Sequence, residues 1–286
     1  MQRTYVLYHG NCLDGFTAAW VANRTLTRGM HVGTAPTFIP VLYGNPLPKI
    51  EDGSVVYILD FSYSREVLDA LAARTTLVVL DHHKTAQADL VGAPYATFDM
   101  NKSGAILAWE YFNPTGEYQL PATKFVKYVQ DRDLWRFVLP HSREIAQWLR
   151  SIPYTFDAYD QAYEDFALHF EDVVKQGTAM LDFQNQQVDT MAGNRFHATF
   201  CGHLVPVTNA PVFYAEVGER MLELESNAAF AAYYFDRPNA WGDVVRQWGL
   251  RSNRGFDVSV MAKRYGGGGH AAAAGFVTST EFYGDK

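Results

Sequence analysis

Three apolar runs rich in β-branched residues end abruptly on polar ones: Tyr5-Val6-Leu7-Tyr8 before His9, Val55-Val56-Tyr57-Ile58-Leu59 before Asp60, and Thr76-Leu77-Val78-Val79-Leu80 before Asp81. Runs that do not alternate in polarity suit strands buried on both faces, as in a parallel sheet. Helix-compatible segments at 15–29 and 64–74 separate them, and this β-α-β-α alternation predicts a parallel sheet covered by helices on both faces. Ligands of such sheets bind beyond the carboxyl ends of the strands. His9, Asp60 and Asp81 fall there.

Further along, 103–113, 121–130 and 142–150 read as helices. From Tyr159 through Tyr163, Phe166, Phe170, Val173, Gly177, Leu181, Gln184 and Val188 to Met191, apolar or bulky positions recur every three or four residues, which predicts one long amphipathic helix. After Gly193-Asn194 the texture changes to short strands at 196–201, 204–208, 229–236 and 243–251, with helices near 212–225 and 257–265. The expected architecture is therefore α/β: an N-terminal doubly wound parallel-sheet domain over 1–180, joined by the long helix to a smaller α/β C-terminal domain over 195–286.

Composition supports two cores rather than one, since the chain has 286 residues and is 48% apolar. No stretch approaches the roughly 18 apolar residues of a membrane span, and Met1-Gln2-Arg3-Thr4 leads straight into a strand, unlike a signal peptide. Two cysteines, Cys12 and Cys201, fit a reducing compartment, so a cytoplasmic location is expected. The net charge of −7 argues against coating long nucleic acid. Small anionic ligands stay compatible, because bound cations can supply the positive charge that the side chains lack. The sequence leaves a homodimer open.

Five constellations can carry chemistry. His9-Gly10-Asn11-Cys12-Leu13-Asp14-Gly15 sets an imidazole and a carboxylate in a tight turn, donors that suit borderline divalent metals; alternatively, Asp14 merely caps the following helix. Asp60 at its strand end reads either as a ligand or as a helix cap. In Asp81-His82-His83, adjacent histidines point different ways, so one can bind a metal while the other faces substrate and Asp81 orients an imidazole. Asp131-Arg132-Asp133 offers two carboxylates, either of them a ligand or an ordinary acidic residue paired with Arg132. Tyr265-Gly266-Gly267-Gly268-Gly269-His270 exposes successive backbone amides that can fold around phosphate or carboxylate oxygens, with His270 adding a donor; a flexible linker is the bland alternative.

Their joint occurrence in this order resembles the DHH phosphoesterase family with a DHHA-type C-terminal domain, over nearly the whole chain. The matching positions are the turn from His9 to Gly15, Asp60, Asp81-His82-His83, Asp131 and the loop Gly266 to His270; Leu250-Arg251-Ser252 looks like the family's basic strand leading into that loop. The resemblance implies two divalent cations, usually Mn²⁺, with Asp60 bridging them. His9 and Asp60 would serve one, and Asp14, Asp60, His82 and Asp131 the other. His83 would face the scissile phosphate with Asp81 behind it, while Arg251, Gly267, Gly268, Gly269 and His270 would bind substrate. One departure stands out: the family turn commonly reads His-x-x-x-Asp-x-Asp, and here Cys12 holds roughly the place of the first aspartate.

The implied activity is hydrolysis of phosphodiester bonds by metal-activated water, in short nucleotides or oligonucleotides, linear dinucleotides foremost, with an exonuclease-like mode included. Cyclic dinucleotides and 3′-phosphoadenosine 5′-phosphate are alternative substrates within the same family. A polyphosphate or pyrophosphate hydrolase and a non-catalytic nucleotide-binding sensor are the readings from other classes.

Overall fold

A computed structural model of the chain describes residues 2–28, 35–114, 122–239, 241–252 and 255–285. Residues 29 and 121, at the ends of two expected helices, lie outside them. The chain divides into two compact units, Met1–Leu181 and Asp182–Lys286.

The first unit runs β1 (Thr4–His9), α1 (Leu13–Leu26), β2 (Thr37–Val41), β3 (Val55–Leu59), α2 (Arg65–Ala72), β4 (Thr76–Asp81), α3 (Lys84–Asp89), β5 (Ala96–Phe98), α4 (Gly104–Phe112), α5 (Ala122–Asp133), α6 (Ser142–Ser151) and α7 (Phe156–Leu168), then enters α8 (Phe170–Gly193). Its sheet has the order β2-β1-β3-β4-β5 and every pairing is parallel. Alternation along the strands feeds two cores. Val6, Leu59 and Leu80 face one, where Trp20, Phe125 and Tyr159 are buried; Tyr5, Leu7, Ile58 and Val79 face the other, closed by Leu68 and Leu71 of α2. Both faces are thus covered, which is why the strands read as unbroken apolar runs.

The single long helix expected between Tyr159 and Met191 is two helices. His169 donates the last α7 bond to the Asp165 carbonyl but leaves the helical region (φ −131°, ψ 40°), and its own carbonyl then accepts from Asp172 and Val173 to start α8. The apolar spacing survives the break because α7 and the start of α8 feed the same core through Phe166 and Val173. Strands β2 and β5 were not legible: β2 contains Pro40 and β5 spans only three residues, and both are edge strands.

The second unit contains the end of α8 and then β6 (Phe196–Phe200), β7 (His203–Asn209), α9 (Tyr214–Leu224), β8 (Ala231–Pro238), β9 (Val244–Arg251), α10 (Val258–Arg264), β10 (Gly268–Gly269) and β11 (Ala273–Thr278). Its six strands lie in the order β10-β11-β9-β8-β7-β6, antiparallel except for β7 with β8. Trp248, Phe276 and Phe200 bury one face, while Val188, Val217 and Met221 cover Ala231 and Tyr233 on the other. The architecture is the α/β arrangement with two sheets that the pattern predicts. Among the described residues, no helix is long and apolar enough to cross a membrane.

Candidate metal centre

Because β1, β3 and β4 are neighbours and run parallel, their carboxyl ends bring His9, Asp60 and Asp81 to one edge of the sheet. Asp60 leaves β3 in the left-handed region (φ 56°), with its N–H on the Leu80 carbonyl at 2.9 Å. That conformation costs a non-glycine residue on the order of 1–3 kcal/mol and persists where surrounding structure holds it. Here Gly104, at the start of α4, packs directly on it. A Cβ at Gly104 would lie 2.4 Å from the Asp60 Cβ and 2.9 Å from Asp14 Oδ2.

Asp14 does not cap its own helix. Its carboxylate accepts from the first amides of α4, Gly104 at 2.6 Å and Ala105 at 3.1 Å, so the positive end of one helix holds the acidic group presented by another. Gly15 lets the start of α1 pack against the end of β1: a Cβ there would come within 2.3 Å of the His9 carbonyl oxygen.

The Asp60 carboxylate, 1% exposed, is divided between two sets of partners. Oδ1 lies 3.1 Å from His82 Nε2. Oδ2 lies 3.5 Å from His9 Nδ1 and 3.6 Å from Cys12 Sγ. Ligand atoms of His9, Cys12 and Asp60 lie within 4.8 Å of one another, as do those of Asp14, His82 and Asp133. His82 Nε2 is 3.6 Å from Asp133 Oδ2 and 3.8 Å from Asp14 Oδ2.

The carboxylate that meets His82 is thus Asp133, where Asp131 was expected. Asp131 accepts the backbone N–H groups of Val138 and Leu139 at 3.2 and 3.1 Å, holding the turn after α5. Helix α5 runs to Asp133, three residues past its expected end. Two positions apart on a helix are about 200° apart around its axis, so only one of the two carboxylates can face the cluster.

Asp81 is fully buried. Its Oδ2 accepts from Ser62 Oγ at 2.6 Å; its Oδ1 takes the His82 N–H at 2.7 Å and His83 Nδ1 at 2.6 Å. His83 is thereby oriented, with its ring 6.0 Å from that of His9. Sequence reasoning missed Tyr43, which follows β2. The residue is 55% exposed, and its ring lies 5.5 Å edge-on to His9 and 6.0 Å from His83 and leans on Phe61 at 4.6 Å. The sequence carries no signal for it, because Pro40 and the edge position of β2 blur the strand pattern that leads to it.

The electrostatics of the cluster ask for positive charge. Burial pushes the Asp14 carboxyl well above the usual range, and Asp133 and Asp60 push it further against the pull of His82. Asp133 is raised by burial too. Burial alone would lower His82, but its hydrogen bond to Asp60 and the charges of Asp133, Asp60 and Asp14 win, pushing it up to about 10. Burial likewise opposes ionisation of Asp60, yet the hydrogen bond to His82, the approach of His9 at 3.5 Å and the charges of His82 and His83 hold it well below the usual carboxylate range. Burial and the three carboxylates push the Cys12 thiol up. Meanwhile His9 Nδ1 is buried without a hydrogen-bond partner. Divalent cations relieve both problems, neutralising the carboxylates and using the lone pair, so these residues fit such ions.

In the second unit, Arg251 ends β9, buried under Gly218 of α9, whose Cβ would sit 2.9 Å from the Arg251 Cβ. The glycine run is not an open cradle of amides. Gly266 N–H donates to Lys263, Gly267 to Ala262 and His270 to Ala273, while Gly268 and Gly269 pair with Gly275 and Ala274 as a short strand. The glycines allow close packing instead: a Cβ on Gly267 would lie 2.0 Å from the Gly275 carbonyl oxygen. His270 stands at the turn between β10 and β11, half-buried.

Over 304 aligned residues the chain is 30% identical to the uncharacterized protein R106 of Acanthamoeba polyphaga mimivirus, covering 96% of this chain and 67% of the viral protein. The chain belongs to the family of that mimiviral protein. No family model matches it. Two solved structures align along its length: the pGpG-specific phosphodiesterase PggH of Vibrio cholerae (TM-score 0.49, 14% identity, 98% of this chain and 94% of that one) and an uncharacterized protein of Helicobacter pylori G27 (TM-score 0.41, 13% identity, 100% and 95%).

Proposed function

We propose that this chain is a metal-dependent phosphoesterase of the DHH type, hydrolysing phosphodiester bonds in short nucleotides or oligonucleotides, linear dinucleotides foremost. The observation that carries this reading is the divided carboxylate of Asp60, one oxygen on His82 and the other on His9. Such a carboxylate would suit a pair of cations. His9 and Asp60 would hold one; Asp14, Asp60, His82 and Asp133 would hold the other, with oxygen and imidazole donors appropriate to Mn²⁺. When bound, the pair polarises the phosphoryl group, lowers the pKa of water and stabilises the attacking and leaving oxygens of an in-line displacement.

The remaining work falls to the chain's own groups. Asp81 fixes His83 through Nδ1, so His83 meets the phosphate through Nε2. Burial pulls the His83 pKa down, but the Asp81 charge and hydrogen bond outweigh it, so the ring keeps a proton to donate to a phosphate oxygen or the departing alkoxide. In the C-terminal unit, Arg251 and His270 are assigned to substrate, with Gly267, Gly268 and Gly269 folding the hairpin that carries His270. The net charge of −7 favours small substrates over long strands.

The test is a substrate panel with Mn²⁺: linear dinucleotides including pGpG, longer oligonucleotides, cyclic dinucleotides, 3′-phosphoadenosine 5′-phosphate and pyrophosphate. Hydrolysis is expected to be fastest with linear dinucleotides and lost in Asp60→Ala and His82→Ala. A wild-type chain that leaves every member intact would sink the reading.

A further inference from the structure

We infer that Cys12 is a metal ligand: its sulfur joins His9 and Asp60 in a thiophilic site beside the oxygen- and nitrogen-only site of Asp14, His82 and Asp133, so the two positions prefer different cations. The inference rests on the two-cation reading above but not on the choice of substrate.

The distances carry the argument. A tetrahedral ion with bonds of about 2.3 Å to sulfur and about 2.0–2.2 Å to nitrogen and oxygen holds its sulfur and oxygen ligands about 3.6 Å apart, and its nitrogen and oxygen ligands about 3.4 Å apart. Cys12 Sγ to Asp60 Oδ2 is 3.6 Å, and His9 Nδ1 to the same oxygen is 3.5 Å. The three donors come from the end of β1, the turn before α1 and the end of β3, yet they already stand at the edge lengths of one coordination shell. His9 Nδ1 adds a second sign, being buried with no hydrogen-bond partner.

The backbone is shaped to the same end. Asn11 takes the left-handed region (φ 54°), which turns the chain so that Cys12, extended at φ −122° and ψ 133°, directs its side chain back toward His9's strand. Cys12 occupies the capping position of α1 but makes no side-chain cap bond. A cysteine serving as small filler would sit among apolar atoms; Cys12 belongs to neither apolar core of its unit, and its sulfur points at a carboxylate. A thiolate selects Zn²⁺ and similar soft or borderline ions, whereas carboxylate-rich shells suit Mn²⁺ and Mg²⁺. On binding, the thiol proton leaves to solvent.

Co²⁺ titration of the full chain tests this without reference to turnover. The expected result is a near-ultraviolet thiolate-to-cobalt charge-transfer band saturating at one ion per chain, abolished in Cys12→Ser and retained in Cys201→Ser. Zn²⁺ should also shield Cys12 from a thiol reagent. Should Cys12→Ser fold poorly by circular dichroism, Cys12→Asp keeps the question open to measurement: calorimetry should show Co²⁺ still bound without the band, and the preference for Zn²⁺ over Mn²⁺ reduced at least about tenfold. Cobalt bound to the wild type without a band, or a band that survives in Cys12→Ser, overturns the inference. Mn²⁺-dependent hydrolysis in a chain lacking the band would overturn Cys12 alone, whereas a band in a chain inert to the whole substrate panel would leave Cys12 standing and remove the phosphoesterase reading.

Discussion

His83 gives its Nδ1 to Asp81 at 2.6 Å, and the same Asp81 oxygen also accepts the backbone N–H of His82 at 2.7 Å. One buried carboxylate therefore fixes the ring of one histidine and the backbone of the other. Asp81→Asn keeps an acceptor in place but removes the charge that favours imidazolium on His83. kcat should fall by about 10²-fold with a smaller change in KM. The sign of the pH effect follows: Asp81 raises the His83 pKa, a protonated donor loses activity as pH rises through that value, and without Asp81 the loss begins at lower pH. A pH–rate profile checks this; equal losses with an unmoved basic limb would make Asp81 merely structural.

The two carboxylates at the end of α5 have separate jobs, which a pair of variants distinguishes. Asp133→Asn removes a group 3.6 Å from His82 Nε2 and should weaken Mn²⁺ binding at least about tenfold by calorimetry. Asp131→Asn weakens the bonds to Val138 and Leu139 and should cost about 1 kcal/mol of stability with Mn²⁺ affinity unchanged. The reverse pattern would return the ligand role to Asp131.

That distinction also shows how far the sequence could be read. The strand-end logic located His9, Asp60 and Asp81 because unbroken apolar runs are a strong signal of buried parallel strands, and the sheet order then made them neighbours. The choice between Asp131 and Asp133 is encoded in the helix face: Val126 and Val129, both buried, lie seven and four positions before Asp133 and share its side, but the sequence pattern predicts the helix only to 130, short of both carboxylates. Gly104 was beyond reach. Its role is a close approach to Asp60 and Asp14, forty-four and ninety positions away, and no local pattern encodes that contact. The glycine run shows a related limit: the amides of Gly266 and Gly267 turn back onto Lys263 and Ala262 at the end of α10, while Gly268 and Gly269 pair with β11, a pairing that only the folded hairpin supplies.

Gly104 yields a prediction about packing. Alanine there places a Cβ 2.4 Å from the Asp60 Cβ and 2.9 Å from its Cα, on a buried backbone already held in the left-handed region. Gly104→Ala should cost about 1–3 kcal/mol and weaken metal binding by displacing Asp60 and Asp14 together. Gly193→Ala, at the end of α8 where an added Cβ meets nothing within 4 Å, is the control and should stay within about 0.5 kcal/mol of wild type. Thermal denaturation with and without Mn²⁺ measures both; a Gly104→Ala chain as stable and as responsive to Mn²⁺ as the control would refute the contact.

In the second unit, Glu225 accepts from Arg195 Nε and from His197 Nε2, the latter at 2.7 Å, tying the end of α9 to β6 and the turn before it. Burial would raise the Glu225 pKa, but the two hydrogen bonds and the neighbouring positive charges outweigh it and hold the carboxyl below its usual range. A group whose pKa is depressed on folding contributes stability above its unfolded value, about 4.3 for Glu, and loses that contribution as pH falls through the folded value. Hydrogen exchange of β6 and α9 amides in the full chain, corrected for intrinsic rates, should therefore show local opening becoming easier as pH drops below that range. Glu225→Gln should open more readily near neutral pH and show a flatter dependence in the acid range. The partly exposed site makes the effect modest and salt-sensitive, so raising ionic strength should shrink the difference between the two chains. A wild-type dependence that the substitution leaves intact would assign the acid lability to another carboxylate.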